Sequence, residues 1–410
     1  MDRKEYAKKK QAEMNEFIKS SIDDVKNHFK SEEDIKELGK FMSQMYNYST
    51  KNKMLIKGQY SSALYVGSET HFNEKGFHIN NGERPIKVLV PNQTKFFKDE
   101  KGKTKPLRFA NKFEKEEIKN GKIKVFAGKT YFKLGNVYDI TQTDARPQDY
   151  PKIYPNRIND FKVNNKDYLD TVYKLAKDHL IDKGYKIYEN VPKSDVNGAS
   201  GIINESDKDV VITQNLGKGE AVSVLFHEMT HQELHSNITN EQYESNRGYF
   251  EGEAELSAYI ISNHFGLDTS ESSFPYIKEW TNNFSNIDDK ELNNFINNVS
   301  NASRNIINNV ETRLEEYNIK VTKELVDNIN QGMSISNIKD ELRNIHDLGL
   351  KDSIKELLTI NAYNKAIGNK GNLDVSDLRN PKLVIDDKQL SAQDITSNIQ
   401  ENKKQNNIIR

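Results

Sequence analysis

The chain has no cysteine and only one tryptophan among its 410 residues. Without thiols, disulfides, thiolate zinc clusters, iron–sulfur centres and cysteine nucleophiles are all excluded. Any metal must therefore sit on His, Asp or Glu. Long apolar runs are missing too: no stretch approaches the ~18 residues that a membrane span needs, and mean hydropathy is −0.84. No apolar leader core follows Met1 in the charged opening segment, so the expected address is cytoplasmic, with no membrane partner. Proline is scarce, nine in all, yet Pro147, Pro151 and Pro155 fall close together and mark a domain boundary. Net charge is almost absent as well, at −1.

That near-neutral total hides a division. Residues 51–150 carry 20 Lys and Arg against 11 Asp and Glu, whereas residues 201–300 carry 5 against 17. The first stretch tolerates a polyanion and the second repels one, which points to two modules with different partners.

Residues 1–47 have helical apolar spacing, from Met14, Phe17 and Ile18 to Leu38, Phe41 and Met45. From about 62 to 140 the pattern changes to short β-rich runs broken by Asn81-Gly82, Gly102 and Gly121, with an exposed hairpin tip over Lys98–Lys105. Helices are expected over 168–183, 220–235 and 249–264, with short strands at 201–203 and 210–212. Beyond 272 the chain reads as Asn-rich helix, and from about 386 its polarity predicts disorder.

The most specific signal is His227-Glu228-Met229-Thr230-His231. A spacing of four puts both imidazoles on one helix face, where they can share a tetrahedral zinc. Glu228 then lies beside the metal without ligating it, where a general base belongs. Asn237 stands where a third His six residues on would give another ligand, so a carboxylate from the next helix is the better candidate. Glu251 and Glu255 share a face at i,i+4. Glu251 is expected as the ligand and Glu255 as the carboxylate orienting a ligating His, although their roles could be exchanged. His235, one turn after His231, is expected to line the pocket, and Glu253 to point elsewhere. Strand 210–212 is the expected edge for aligning a substrate.

Residues 225–231 with His235 resemble the zincin-like peptidase domain of ArdC-type antirestriction proteins. Tyr249–Leu256 is similar to that family's second-helix glutamate motif, and Phe274–Trp280 to its following Tyr-Ile…Trp segment. Tyr48-Ser49-Thr50-Lys51-Asn52, Leu55, Ile56 and Gln59 resemble the opening motif of its single-stranded-DNA-binding domain. Gly76, Ile79, Gly82, Glu83, Ile86 and Val90-Pro91 continue the likeness, and Val137–Thr143 resembles its closing strand and turn. The resemblance covers roughly residues 10–285. It departs where Phe72 replaces the usual Trp, in a longer basic insertion around 98–122, and beyond about 300.

It implies an α+β chain. Residues 1–146 form a small helix-plus-antiparallel-sheet domain that binds single-stranded DNA, and 147–300 a mainly helical, gluzincin-like zinc metallopeptidase domain. A helical extension (301–385) and a disordered tail (386–410) follow. A basic groove and exposed rings suit non-specific single-strand binding. Lys51, Lys53, Arg84 and Lys87 supply charge, Tyr48 and Phe72 rings, and the resemblance adds Asn52 and Gln59. The implied context is protection of incoming mobile-element DNA, with a protein substrate or a restriction-system component as further partner. Two other readings are open: a DNA-binding antirestriction protein whose zincin fold is structural or regulatory, and a free-standing peptidase, which the basic half disfavours.

Overall fold

The computed structural model describes residues 31–146, 166–196, 198–269, 273 and 288–408. The helical pattern of residues 1–30, the Pro147–Pro155 cluster and Phe274–Trp280 lie outside them. The fold is α+β and divides into two compact units, with the boundary after Asp144. Helix α1 (Glu32–Gln44) belongs to the second unit.

The first unit, over 48–144, is built on a four-stranded sheet of order β1-β4-β2-β3. Its elements are α2 (Thr50–Gln59), β1 (Val66–Gly67), α3 (Glu69–Glu74), β2 (Ile86–Lys98), β3 (Thr104–Pro106), α4 (Lys112–Lys119) and β4 (Val125–Asp139). Strands β2 and β4 form a long antiparallel ribbon, with Ile86 opposite Val137 and Phe97 opposite Val125. Its register shifts between Gln93 and Lys95. Gly128 lies at that shift, where a Cβ would come within 2.5 Å of the Phe96 ring. The hairpin tip joining β2 to β3 is where the Lys98–Lys105 run predicts it.

Strand β3 reaches only Phe96–Lys98, so the near end of β2 needs other partners for its outward backbone groups. Helix α2 provides them. The Asn52 amide donates to the Leu89 carbonyl at 3.0 Å and accepts from its N–H at 2.7 Å. Two turns on, Gln59 does the same for Lys87, at 2.9 and 2.8 Å. The two amides thus clamp the helix to the strand edge. Asn52→Ala is expected to cost about 2–4 kcal/mol, because it orphans a buried donor and acceptor together; a denaturant melt of the purified chain measures it. At the end of β4, buried Asp139 accepts the N–H groups of Leu64 and Tyr65 and fixes the closing turn.

The second unit centres on a three-stranded sheet of order β5-β7-β6: β5 (Lys186–Val191), β6 (Gly201–Asn204) and β7 (Asp209–Thr213). Strand β7 runs parallel to β5 and antiparallel to β6. The sheet packs with α5 (Lys166–Asp182) and α6 (Lys218–His235), on which α8 (Arg247–His264) and the long α9 (Asp289–Asn330) pack in turn, while the short α7 (Asn240–Ser245) joins α6 to α8. Val222, Leu225, Phe226 and Met229 give α6 a buried face at three-to-four spacing, in one core with Val172 and Ile307.

Two expectations need correction here, and one boundary shifts. Helix α1 packs on α8: a Cβ at Gly39 would come within 2.6 Å of the Tyr259 ring, and Ser43 donates to Asn263. It therefore folds apart from the strand-rich residues that follow it in sequence. Strand 210–212 is β7, paired on both sides, so the sheet's edges are β5 and β6. The position 300/301 falls inside α9, whose Ile306 and Val310 belong to the same core as α6, and is no domain boundary in space.

The C-terminal part is likewise ordered. It comprises α10 (Ile335–Glu341), α11 (Leu348–Ala366), the antiparallel strands β8 (Asn372–Asp374), β9 (Lys382–Ile385) and β10 (Lys388–Leu390), and α12 (Ala392–Ile408). The disorder expected from 386 does not hold over 386–400, where Ile395 of α12 is buried with Ile360 and Leu383. So sparse an apolar anchor among polar residues is too faint a pattern for composition to register.

Candidate metal centre

The His227–His231 pair lies on α6, one turn apart, with Nε2 atoms 3.0 Å from each other. Glu251 on α8 brings Oε2 to 3.3 Å from His227 Nε2 and 3.7 Å from His231 Nε2. Ligand atoms about 2.0–2.2 Å from a tetrahedral ion lie roughly 3.3–3.5 Å apart, so the three atoms fit around one divalent cation. Among the described residues they are the group of His and carboxylate side chains so arranged.

The protonation states suit that use. Burial would raise the Glu251 carboxyl, but hydrogen bonds from His227 and His231 hold it far below the usual carboxylate range. Burial takes His231 down to about 4, leaving a neutral imidazole. Burial also acts to lower His227, but the carboxylates of Glu251 and Glu255 outweigh it and raise the group well above its ordinary value. The proton they attract stands where a cation would replace it.

Each of the three side chains is backed by a second group. His227 Nδ1 donates to Glu255 Oε2 at 3.0 Å, leaving Nε2 turned to the cluster. Glu251 uses its other oxygen to accept the Tyr243 hydroxyl of α7 at 2.7 Å. With Nε2 turned to His227 and Glu251, His231 donates through Nδ1 to His235 Nδ1 at 2.8 Å. His235 Nε2 then donates to Glu253 at 3.0 Å, and Asn298 of α9 holds the second Glu253 oxygen at 2.8 Å. The His235 and Glu253 side chains are almost wholly buried, at 4% and 2% exposure. His235 is thus a hydrogen-bonded support and more than a pocket lining. Glu253 does face away from the metal cluster, as its place on the helix requires, but towards this support. Sequence reasoning missed Tyr243 and Asn298, for no local spacing ties them to the histidines.

Glu255→Ala is expected to weaken metal affinity about 10–100-fold without emptying the site, the usual cost of losing such a partner. Titration with a competing chelator measures it.

Glu228 points to the neighbouring strand. Its carboxylate accepts the Ile203 N–H of β6, and burial pushes its pKa up to about 7 against the pull of His227. A Cβ at Gly201 would lie 2.8 Å from Glu228 Oε1 and 2.5 Å from Val224, so β6 approaches this closely only with glycine there. Thr213 donates to the Ser200 carbonyl, which by alternation turns the backbone groups of Gly201 and Ile203 away from β7 towards Glu228. A strand edge with no further strand beside it thus runs along the acid.

The residues expected to contact DNA lie in the first unit and separate by burial. Lys51 and Arg84 are exposed. Gln59 and Arg84 border a shallow cleft of about 400 Å³ with Tyr60 and Glu83. Lys87 is half-buried, with its ammonium 2.6 Å from Asn136. Tyr48 is half-buried and donates to the Val66 carbonyl. Phe72 and Lys53 are 0% exposed, and Asn52 is spent on the Leu89 clamp. These three serve the fold: a ring or ammonium wholly inside has no face for a base or phosphate.

Residues 4–132 match the family model described as the N-terminal domain of anti-restriction factor ArdC. An uncharacterized protein of Bacillus anthracis is 34% identical over 317 residues, 70% of this chain and 51% of its own length. The chain therefore spans about half the length of that curated relative. Two similar solved structures are of the antirestriction ArdC protein from plasmid R388. The metal-free one has 15% identity and a TM-score of 0.34, covering 65% of this chain and 86% of that one. The Mn(II)-bound one has 13% identity and a TM-score of 0.31, covering 64% and 89%. No helix among the described residues is long and apolar enough to cross a membrane.

Proposed function

We propose, from the match of residues 4–132 to the N-terminal domain of anti-restriction factor ArdC, an antirestriction-type protein with two activities. The unit over 48–144 binds single-stranded DNA without sequence preference and so protects incoming mobile-element DNA. The second unit bears a zinc-dependent, metallopeptidase-like centre. The observation that carries the second activity is the convergence of His227, His231 and Glu251 at 3.0–3.7 Å beside a buried carboxylate.

His227, His231 and Glu251 would hold the ion, which supplies Lewis-acid polarisation of water and of a peptide carbonyl. Glu228 takes a proton from the attacking water, a task for which a value near neutrality suits it. The edge of β6 offers backbone groups to an extended peptide, the usual way a strand edge recognises one. Glu228 also weighs against a purely structural or regulatory site, which has no use for a buried acid beside its ligands.

The test is metal analysis of the purified full chain together with titration of a labelled oligonucleotide. One zinc per chain is expected, along with single-strand affinity that falls as salt rises, with a log–log slope near −0.7 per phosphate contacted. A folded chain that takes up no divalent metal refutes the second activity; one that binds no oligonucleotide at low salt refutes the first.

A further inference from the structure

The rings that the opening motif brings to attention are largely inside, yet the same unit exposes others. Phe126, Tyr131 and Phe132 of β4 are 42%, 50% and 52% exposed, and Leu134 is exposed beside them. A monomer seldom leaves so much apolar surface together without a use. In the β2–β4 register Phe132 stands opposite Pro91 and Leu134 opposite Leu89, so Pro91, Phe132 and Leu134 share one face. Tyr131 stands opposite Asn92, which donates to its hydroxyl at 2.7 Å, and Lys133 opposite Val90, on the other face. Beyond the register shift, where β4 carries one extra residue, Phe126 stands opposite Phe96 on the Tyr131 face and stacks on it, with centroids 6.1 Å apart and planes 22° from parallel.

Charge identifies the partner. From Ile86 to Lys98 and from Lys124 to Tyr138 there is neither Asp nor Glu. Lys95, Lys98, Lys124 and Lys133 are all exposed there. Rings alone would serve a protein partner equally well, but exposed ammonium groups without a single carboxylate among them fit a polyanion. Flat rings interleaved with lysines are what unpaired bases on a phosphate backbone require.

We infer that single-stranded DNA binds along the Tyr131 face of the β2–β4 ribbon, its bases stacking on Tyr131 and Phe126 and its phosphates meeting Lys98 and Lys133. The inference rests on the proposed DNA-binding activity and moves its contacts away from Asn52, Lys53 and Phe72.

The test uses the full chain and a fluorescein-labelled oligo(dT), at fixed low salt and over a salt series. Y131A is expected to lose about tenfold in affinity, since a stacked ring contributes that order per base, whereas F132A, on the opposite face, should bind as the unaltered chain does. The melting temperature and metal content of Y131A should not change, because the side chain already faces solvent. K98E/K133E should weaken binding and flatten the salt dependence. Duplex of the same length should bind more weakly than oligo(dT) to the unaltered chain.

If the unaltered chain binds oligo(dT) and Y131A binds it equally, or only F132A weakens it, this face is not the site, although the DNA-binding activity stands. Equal binding of duplex and single strand overturns the stacking. If Y131A changes only the oligomeric state, the patch is a protein interface and the inference fails. If the unaltered chain binds no oligonucleotide, the underlying activity fails as well.

Discussion

His227→Ala and His231→Ala are each expected to leave the purified chain without stoichiometric zinc. Three ligating atoms converge at 3.0–3.7 Å, and two of them are these imidazole nitrogens. Removing either leaves two protein ligands, too few for the three-ligand set of a catalytic zinc site. Glu251→Ala should weaken binding nearly as severely, because it takes away the one negatively charged ligand and leaves the Tyr243 hydroxyl without its acceptor. Glu255 touches only the far nitrogen of His227, so its removal is the milder loss. Elemental analysis of the four variants, beside circular dichroism as a check on folding, gives the ranking. An empty Glu255→Ala protein and a fully loaded Glu251→Ala protein would exchange the two assignments.

Glu228→Gln is expected to keep the metal, the fold and oligonucleotide binding while losing peptidase activity by about 10²–10⁴-fold, the range that general-base catalysis contributes. The amide retains the shape of the acid and can still accept the Ile203 N–H, but it cannot take a proton from water. Since burial already disfavours the ionised carboxyl, the neutral amide should not lower the melting temperature. Labelled casein is a suitable probe, with the zinc content of both proteins measured in parallel. Equal cleavage by the unaltered chain and the variant would remove Glu228 from the chemistry and favour a structural role for the fold around it.

Much of the metal centre is written in local spacing. An i,i+4 pair of histidines lies on one face of any helix that forms there, and α6 forms because Val222, Leu225, Phe226 and Met229 give it a face to bury. The same rule brings Glu251 and Glu255 to one side of α8 and turns Glu253 away. Helix periodicity is a property of consecutive residues, so no knowledge of the rest of the chain is needed. The clustering of glycines and β-rich runs marks the first unit's strands for the same reason.

Other features depend on which distant segments meet. The chain from His231 through His235 and Glu253 ends on Asn298, 67 positions from where it begins. Strand β7 is interior because β5 and β6 flank it, so the free edge beside Glu228 falls to β6. Asn52 and Gln59 are assigned to DNA by the resemblance, yet in the fold they bond the near end of β2, which lacks a strand neighbour there. Phe72 and Phe132 are the same residue type in the same unit, yet one is wholly enclosed and the other half exposed. The sequence by itself determined which side chains share a face. Only the tertiary structure decided which faces are covered, because burial is a property of the segment that packs over a residue and not of its neighbours in the chain.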